Sequence, residues 1–334
     1  SVCQSKNITW NNIEQDDNHL YSQEDYVLDA HNINTLVFEL TTKNDISDLY
    51  EKREEKELEF DFIQRILEEN NKLSNKIGHI ELGWDKSNPL LHSQIKKILV
   101  LIKETGCSVN IITNGAHFVE NAENIDFEPN QNVTFFLDHP EKEENDKIMG
   151  ESTYEGTKRA FILLKEKNIP FDIYMRVSQR NYDQIEKMNS FCMNYGVRNL
   201  VQIEIYPFDT KENEVLTDVM KEEVIRTIEK LNLNKSIHYS EAALGIDCSY
   251  QRRQRIHVDV DGNLSFCHFL RTLPNAQIEK DKSLSLLEYI HKNNKARIGF
   301  LKNKEKEFSN WEKPRKTVSP CSYCLHAFGL EKKW

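Results

Sequence analysis

The 334-residue chain lacks an apolar run long enough to span a bilayer and lacks a basic-then-apolar secretory pattern at its start. It also lacks a segregated block of basic residues. Acidic and basic residues interleave along a chain of net charge −10, which argues against a nucleic-acid footprint. No internal repeat or low-complexity tract is present, which excludes solenoids and extended disordered arrays. These absences leave a globular, cytoplasmic protein without membrane or nucleic-acid partners. At 38% hydrophobic residues it has enough apolar material for one large domain and a smaller one.

Seven cysteines are present, and four crowd the C-terminal part. Cys248 and Cys267 stand in C-x18-C spacing, and Cys321 and Cys324 form C-x2-C. Between the first pair, Ile256, Val258 and Val260 alternate into Asp261-Gly262, a hairpin signal that folds Cys248 and Cys267 toward each other. Four thiolates of this kind suit Zn²⁺ or an iron–sulfur cluster. The competing reading is scattered buried thiols or two disulfides. His268 and His326 adjoin the set and are read as supporting residues. Cys192, on the apolar stripe of Ile185, Met188, Phe191 and Tyr195, and Cys107, before a strand, are read as core packing; Cys3 stands apart.

Residues 1–34 are polar and form a leader arm. From residue 35 short apolar runs alternate with amphipathic segments, giving strands at 35–40, 79–82, 109–113, 133–138, 171–177 and 200–206. Helical faces run through Ile63, Ile66 and Leu67; through Leu91, Ile95, Ile98, Leu99 and Ile102; and through Ala160, Phe161 and Leu164. A further helix covers 221–231, and Leu284, Leu287 and Ile290 outline another. The alternation predicts an α/β fold, an open partial (βα)6 TIM-like barrel whose ligand site lies at the C-terminal strand ends. An α+β module follows, giving an arm at 1–34, a barrel at 35–215 and a C-terminal module at 216–334. The strand ends carry Thr41-Thr42-Lys43, Gly83-Trp84-Asp85, Asn114-Gly115 and Asp138-His139-Pro140. Ile256 to Val260 is expected to offer a free edge for β-addition of a peptide, with Arg252, Arg253 and Arg255 placed to attract an acidic leader.

The order of elements resembles the radical S-adenosylmethionine (SAM) superfamily, in its peptide-modifying branch with a C-terminal SPASM or shorter twitch domain. Ile112-Thr113-Asn114-Gly115 resembles that family's third-strand ending, and Leu137-Asp138 with Asp146-Lys147-Ile148-Met149-Gly150 resembles its LDG…HDxxRG segment. The hairpin with G-x4-C from Gly262 to Cys267, with Cys248 upstream and C-x2-C downstream, is the most specific match. The resemblance implies that Cys248, Cys267, Cys321 and Cys324 hold one auxiliary [4Fe–4S] cluster, with Zn²⁺ as the alternative.

The family's C-x3-C-x2-C motif has no counterpart after the first strand: an ungapped match puts Asn44, Asp48 and Glu51 at the thiolate positions. Its GGEP motif falls on Leu82-Gly83-Trp84-Asp85-Lys86-Ser87-Asn88-Pro89, where Gly83 and Pro89-Leu90-Leu91-His92 alone resemble it and Trp84 adds bulk. The implied protein is a catalytically degenerate radical-SAM-like subunit in ribosomal peptide modification. It is expected to bind a precursor peptide, an active radical SAM maturase or both as a hetero-oligomer, and not to bind SAM. The alternative is an enzyme, either an active iron–sulfur, radical SAM-type peptide modifier or a metal-dependent one using the mouth carboxylates Asp45, Asp48 and Asp85.

Overall fold

The computed structural model describes residues 33–43, 54–83, 87–122, 131–204, 214–233, 255–265, 285–288 and 290. The six expected strands are all present: β1 Thr35–Phe38, β2 His79–Leu82, β3 Ser108–Thr113, β4 Gln131–Phe136, β5 Phe171–Val177 and β6 Leu200–Glu204. They lie side by side in chain order, each pair parallel. Parallel neighbours need a crossover, and the crossovers carry α1 Phe60–Lys72, α2 Ile95–Thr105, α3 Phe118–Ala122, α4 Lys142–Met149, α5 Thr153–Glu166 and α6 Ile185–Tyr195. A last long helix, α7 Asp218–Lys230, is capped by the Thr217 side chain, which accepts from the Met220 N–H. Both α2 and α6 stop at a left-handed glycine, Gly106 and Gly196, each at φ 71°.

Two further strands extend the sheet beyond β1. β7 Arg255–Val258 pairs parallel with β1, and β8 Leu264–Ser265 returns antiparallel to β7. The sheet is open, with β6 and β8 at its two ends among the described residues. The expected hairpin exists, but Asp259 organises it as much as Asp261-Gly262 does. The Asp259 carboxylate accepts from the backbone N–H groups of Asp261 and Asn263 at 2.9 and 2.8 Å, and Gly262 takes φ 79°. The expectation of a free edge at Ile256 to Val260 is corrected here. One side of β7 is paired to β1 along its length, and on the other side His257 and Val258 pair with β8, so the C-terminal half of the strand offers no free edge.

Most of the apolar core lies between the sheet and the helices. Its densest part is aromatic: Phe161 stacks on Phe171 at 4.7 Å, and Phe135 meets Phe118 and Phe161 edge-on, both at 5.3 Å. Cys107 and Cys192 are buried, as expected for packing residues, and burial pushes the Cys192 thiol up to about 12. Of the expected face Leu284, Leu287 and Ile290, Ile290 is buried, Leu287 is exposed with Leu286 buried instead, and Leu284 lies outside the described residues. No helix among the described residues is long and apolar enough to cross a membrane.

Candidate functional site

The C-terminal ends of β1 to β5 converge on one mouth, and each end is held by side-chain hydrogen bonds. After β1 the chain is pinched into a neck. Thr41 forms a β-bridge with Glu57, and the Thr42 hydroxyl accepts from the Lys56 N–H at 2.7 Å and donates to the Glu54 carbonyl at 2.6 Å. Lys43 and Ser93 converge on Glu57: the Lys43 ammonium lies 2.6 Å from Oε1, and the Ser93 hydroxyl donates to Oε2 at 2.5 Å. Burial opposes ionisation of Glu57, but the hydrogen bonds from Lys43 and Ser93 and the nearby His92 outweigh it and bring the carboxyl down to about 2. Asn44, Asp45, Asp48 and Glu51 lie outside the described residues.

The end of β2 is set by Gly83. Its φ is +88°, and a Cβ there would fall 2.6 Å from the Ile112 carbonyl oxygen, so no other residue fits without moving β3. Trp84 and Asp85 lie outside the described residues. Asn88 then caps a 3₁₀ turn, Pro89–Leu91, with Oδ1 accepting from Leu90 N–H, and it also ties the β2 and β3 ends together. Thr113 donates to its Oδ1 at 3.0 Å, and its amide donates to Asn114 Oδ1 at 3.2 Å. His92 is buried with Nε2 3.0 Å from the Leu58 carbonyl. The resemblance at Pro89-Leu90-Leu91-His92 therefore falls on a structural brace.

At the β4 and β5 ends lies a buried ion pair that sequence reasoning missed. Arg176 and Asp138 are each 1% exposed at the side chain, with Nη2 2.5 Å from Oδ2. Asp138 Oδ1 also accepts from Arg176 Nε at 3.3 Å and from its backbone N–H at 2.8 Å. The guanidinium stacks 5.0 Å from the Phe136 ring centroid and reaches the Met149 sulfur. Asn181 closes the knot by donating to the carbonyls of Asp138 and Arg176 at 2.7 and 2.9 Å. The signal was available: Asp172, Tyr174 and Arg176 alternate with apolar residues along one strand, which marks a polar second face.

The LDG…HDxxRG-like segment acts as a staple. Asn145 Oδ1 accepts from the N–H groups of Asp138 and His139 at 3.1 and 3.3 Å. Asp146 Oδ1 accepts from the Tyr154 N–H at 3.1 Å at the start of α5. Ile148 and Met149 fold onto Ile112 and Phe136, a small apolar cluster separate from the main core.

The hairpin contributes to the same interior. Arg255 donates to Glu81 Oε2 at 2.7 Å, so it is engaged inside the barrel and is not a free lure for an acidic leader. Arg252 and Arg253 lie outside the described residues. Cys248, Cys267, Cys321, Cys324, His268 and His326 lie there as well. Among the described residues no group of three or more His, Cys, Asp or Glu side chains is arranged to hold a metal ion.

No family model matches the chain, and no curated protein matches it. Solved structures do. Streptococcus suis SuiB bound to S-adenosylmethionine aligns at 16% identity and TM-score 0.61, over 84% of this chain and 76% of that one. SuiB bound to its precursor peptide SuiA aligns at 16% identity and TM-score 0.63, over 87% and 73%. Native anSMEcpe with bound AdoMet aligns at 13% identity and TM-score 0.64, over 88% and 95%. At these identities the likeness concerns the fold: the chain has an open, partial TIM-like barrel similar to those of these structures.

Proposed function

We propose that this protein is a catalytically degenerate radical-SAM-like subunit that binds a precursor peptide, an active radical SAM maturase or both, and does not cleave SAM itself. The observation that carries this reading is a retained fold with a missing ligand set: the chain keeps the barrel, while residues 44–53, between β1 and α1, contain no cysteine to hold a SAM-cleaving cluster. The mouth supports it further. Arg176, near the end of β5, is spent on Asp138. Peptide binding is supported by the neighbouring structures solved with peptides, and a fold retained without its chemistry leaves a concave surface for recognition.

The cofactor reading is one C-terminal centre on Cys248, Cys267, Cys321 and Cys324. The donor set fits an auxiliary [4Fe–4S] cluster, since four thiolates are soft ligands, and Zn²⁺ is the alternative. The domain reading keeps an arm at 1–34, a barrel at 35–215 and a module at 216–334, with β7 and β8 of the module completing the barrel sheet.

Anaerobically purified protein tests these points together. Iron and sulfide are expected at one cluster per chain and lost in Cys267→Ala. SAM should give no one-to-one calorimetric isotherm at micromolar concentration and no 5′-deoxyadenosine under reducing conditions. Release of 5′-deoxyadenosine in a single-turnover amount or more would sink the degenerate reading and restore the active-enzyme alternative.

A further inference from the structure

The helices outside the barrel treat their surface charges in two ways. On α4 to α7 lysines sit beside carboxylates, as in Lys142–Asp146, Lys147–Glu144, Lys158–Glu155 and Lys230–Glu186, at 2.6 to 3.7 Å. α2 departs from this. Its buried stripe is Ile95, Ile98, Leu99 and Ile102, and its outer face carries Lys96, Lys97, Val100 and Lys103, all exposed, Val100 by 57%. Lys97 reaches only the Gln94 side-chain oxygen, at 3.3 Å, and Lys96 has no partner among the described residues. The helix holds no acid before Glu104 in its last turn. α5 sharpens the contrast. Arg159 and Lys165 flank an exposed Ile162 there as well, but Glu155 and Glu166 lie on the same face at helical spacing and balance the charge locally. On α2 the cations around Val100 instead offer a face to an acidic segment with an apolar residue at its centre.

The chain contains such a segment. Residues 1–32, which lie outside the described residues, hold Glu14, Asp16, Asp17, Glu24, Asp25 and Asp29 against Lys6 alone. Asp17, Tyr21 and Glu24 repeat the i, i+4, i+7 spacing of Lys96, Val100 and Lys103 with the charges reversed. The connection is also short enough. α2 ends at Thr105, turns at Gly106 and enters β3 at Ser108, which is in register with His79, itself in register with Thr35. The Lys103 end of α2 and Ile33 therefore lie at the same end of the sheet, two strand spacings or roughly 10 Å apart along it. Residues 25–32 can span up to about 26 Å.

We propose that the acidic segment around Asp17, Tyr21 and Glu24 docks on the lysine face of α2 in its own chain, with Asp16 and Asp17 against Lys96 and Lys97 and Tyr21 against Val100. Each exposed ion pair is weak, but the tether makes docking intramolecular, so several weak contacts act together. The inference concerns the outside of the barrel and stands apart from what the mouth binds.

Zero-length carbodiimide crosslinking of the full chain at low salt, followed by peptide mapping, tests it. Amide links joining Asp16 or Asp17 to Lys96 or Lys97 within one chain are expected, with their yield falling in 1 M salt, where the screening length shrinks to about 3 Å. The links should be lost in Lys96→Glu with Lys97→Glu and regained when Asp16→Lys and Asp17→Lys are added, because the reversed pairs can be joined by the same reagent. All four substitutions are outside the buried core, and an unchanged circular dichroism spectrum checks that the fold is kept. Absence of these links in the wild-type chain would overturn the proposal. Failure of the fourfold variant to regain them would do so too, and links found only between two chains would assign the lysine face to a second copy and overturn docking within one chain.

Discussion

The two faces of the central sheet follow different rules. On the helix side, alternate residues of the strands are mostly apolar and are covered by amphipathic helices, and the aromatic cluster around Phe135 and Phe161 packs as a single core. On the interior side, the same strands present Glu81, Asn110, Thr134, Asp172 and Arg176, tied by side-chain bonds from strand to strand. The first face derives stability from area removed from water, which is tolerant of detail. The second depends on each polar group finding its partner, which is intolerant of single losses. In a barrel of this kind the fold is specified by one face, and the other is left to carry chemistry or recognition.

The sharpest test compares one truncation on each face. Phe161→Ala should cost about 3–5 kcal/mol, because it opens a cavity among stacked rings. Asp138→Ala should cost a similar amount, about 3–5 kcal/mol, by leaving the Arg176 guanidinium buried and unpaired. The faces should then diverge on repair. Asp138→Asn combined with Arg176→Met keeps the acceptor for the Arg176 backbone N–H and removes both charges, so most of the loss should return. No second substitution beside Phe161 should do the same. Urea denaturation of the four proteins decides, and a double variant as unstable as Asp138→Ala would show that the pair is worth more than its desolvation.

The neck after β1 gives a smaller effect with a definite sign. The Glu57 carboxyl is held down to about 2, below the ordinary value of 4.5 that it regains in the unfolded chain. A depressed carboxyl contributes stability that is fully present above the unfolded pKa and is lost as pH falls through the folded one. Wild type should therefore lose stability between about 4.5 and about 2 by more than Glu57→Gln does. Parallel slopes for the two proteins in that window would remove Glu57 from the neck's electrostatics. Lys43 and Ser93 are expected to matter only through this carboxylate.

The same division explains what the sequence made legible. The limits of β2 and β5 follow from the sequence alone, because apolar runs between turn residues mark where helix-covered strands begin and end. β1 is shorter than its apolar run, since Leu40 and Thr42 turn aside to bond Leu58 and Lys56. The interior network was not legible. Its partners come from different strands, so Asp138 and Arg176, 38 residues apart, leave no local spacing to read. The insertion of β7 beside β1 was hidden for the same reason: a parallel pair so distant in the chain needs no turn signal. The cysteine constellation was legible as a donor set, and its arrangement in space lies outside the described residues.

The smallest expected effect concerns a residue that breaks the rule of its own face. Gln202 pairs in register with Met175 on β5, on the mostly apolar side of the sheet, and it is fully buried. Its Nε2 reaches only the Leu200 carbonyl at 3.5 Å, and its Oε1 has no hydrogen-bond partner. An unsatisfied buried amide costs about 1–3 kcal/mol, whereas a side chain of the same length without polar atoms would fill the same space. Gln202→Met should therefore raise stability by about 1 kcal/mol, read as a higher urea midpoint with an unchanged slope. A neutral result would mean that an ordered water satisfies Oε1. A loss of stability would place a binding partner for Gln202 on this face and break the division between the two sides of the sheet.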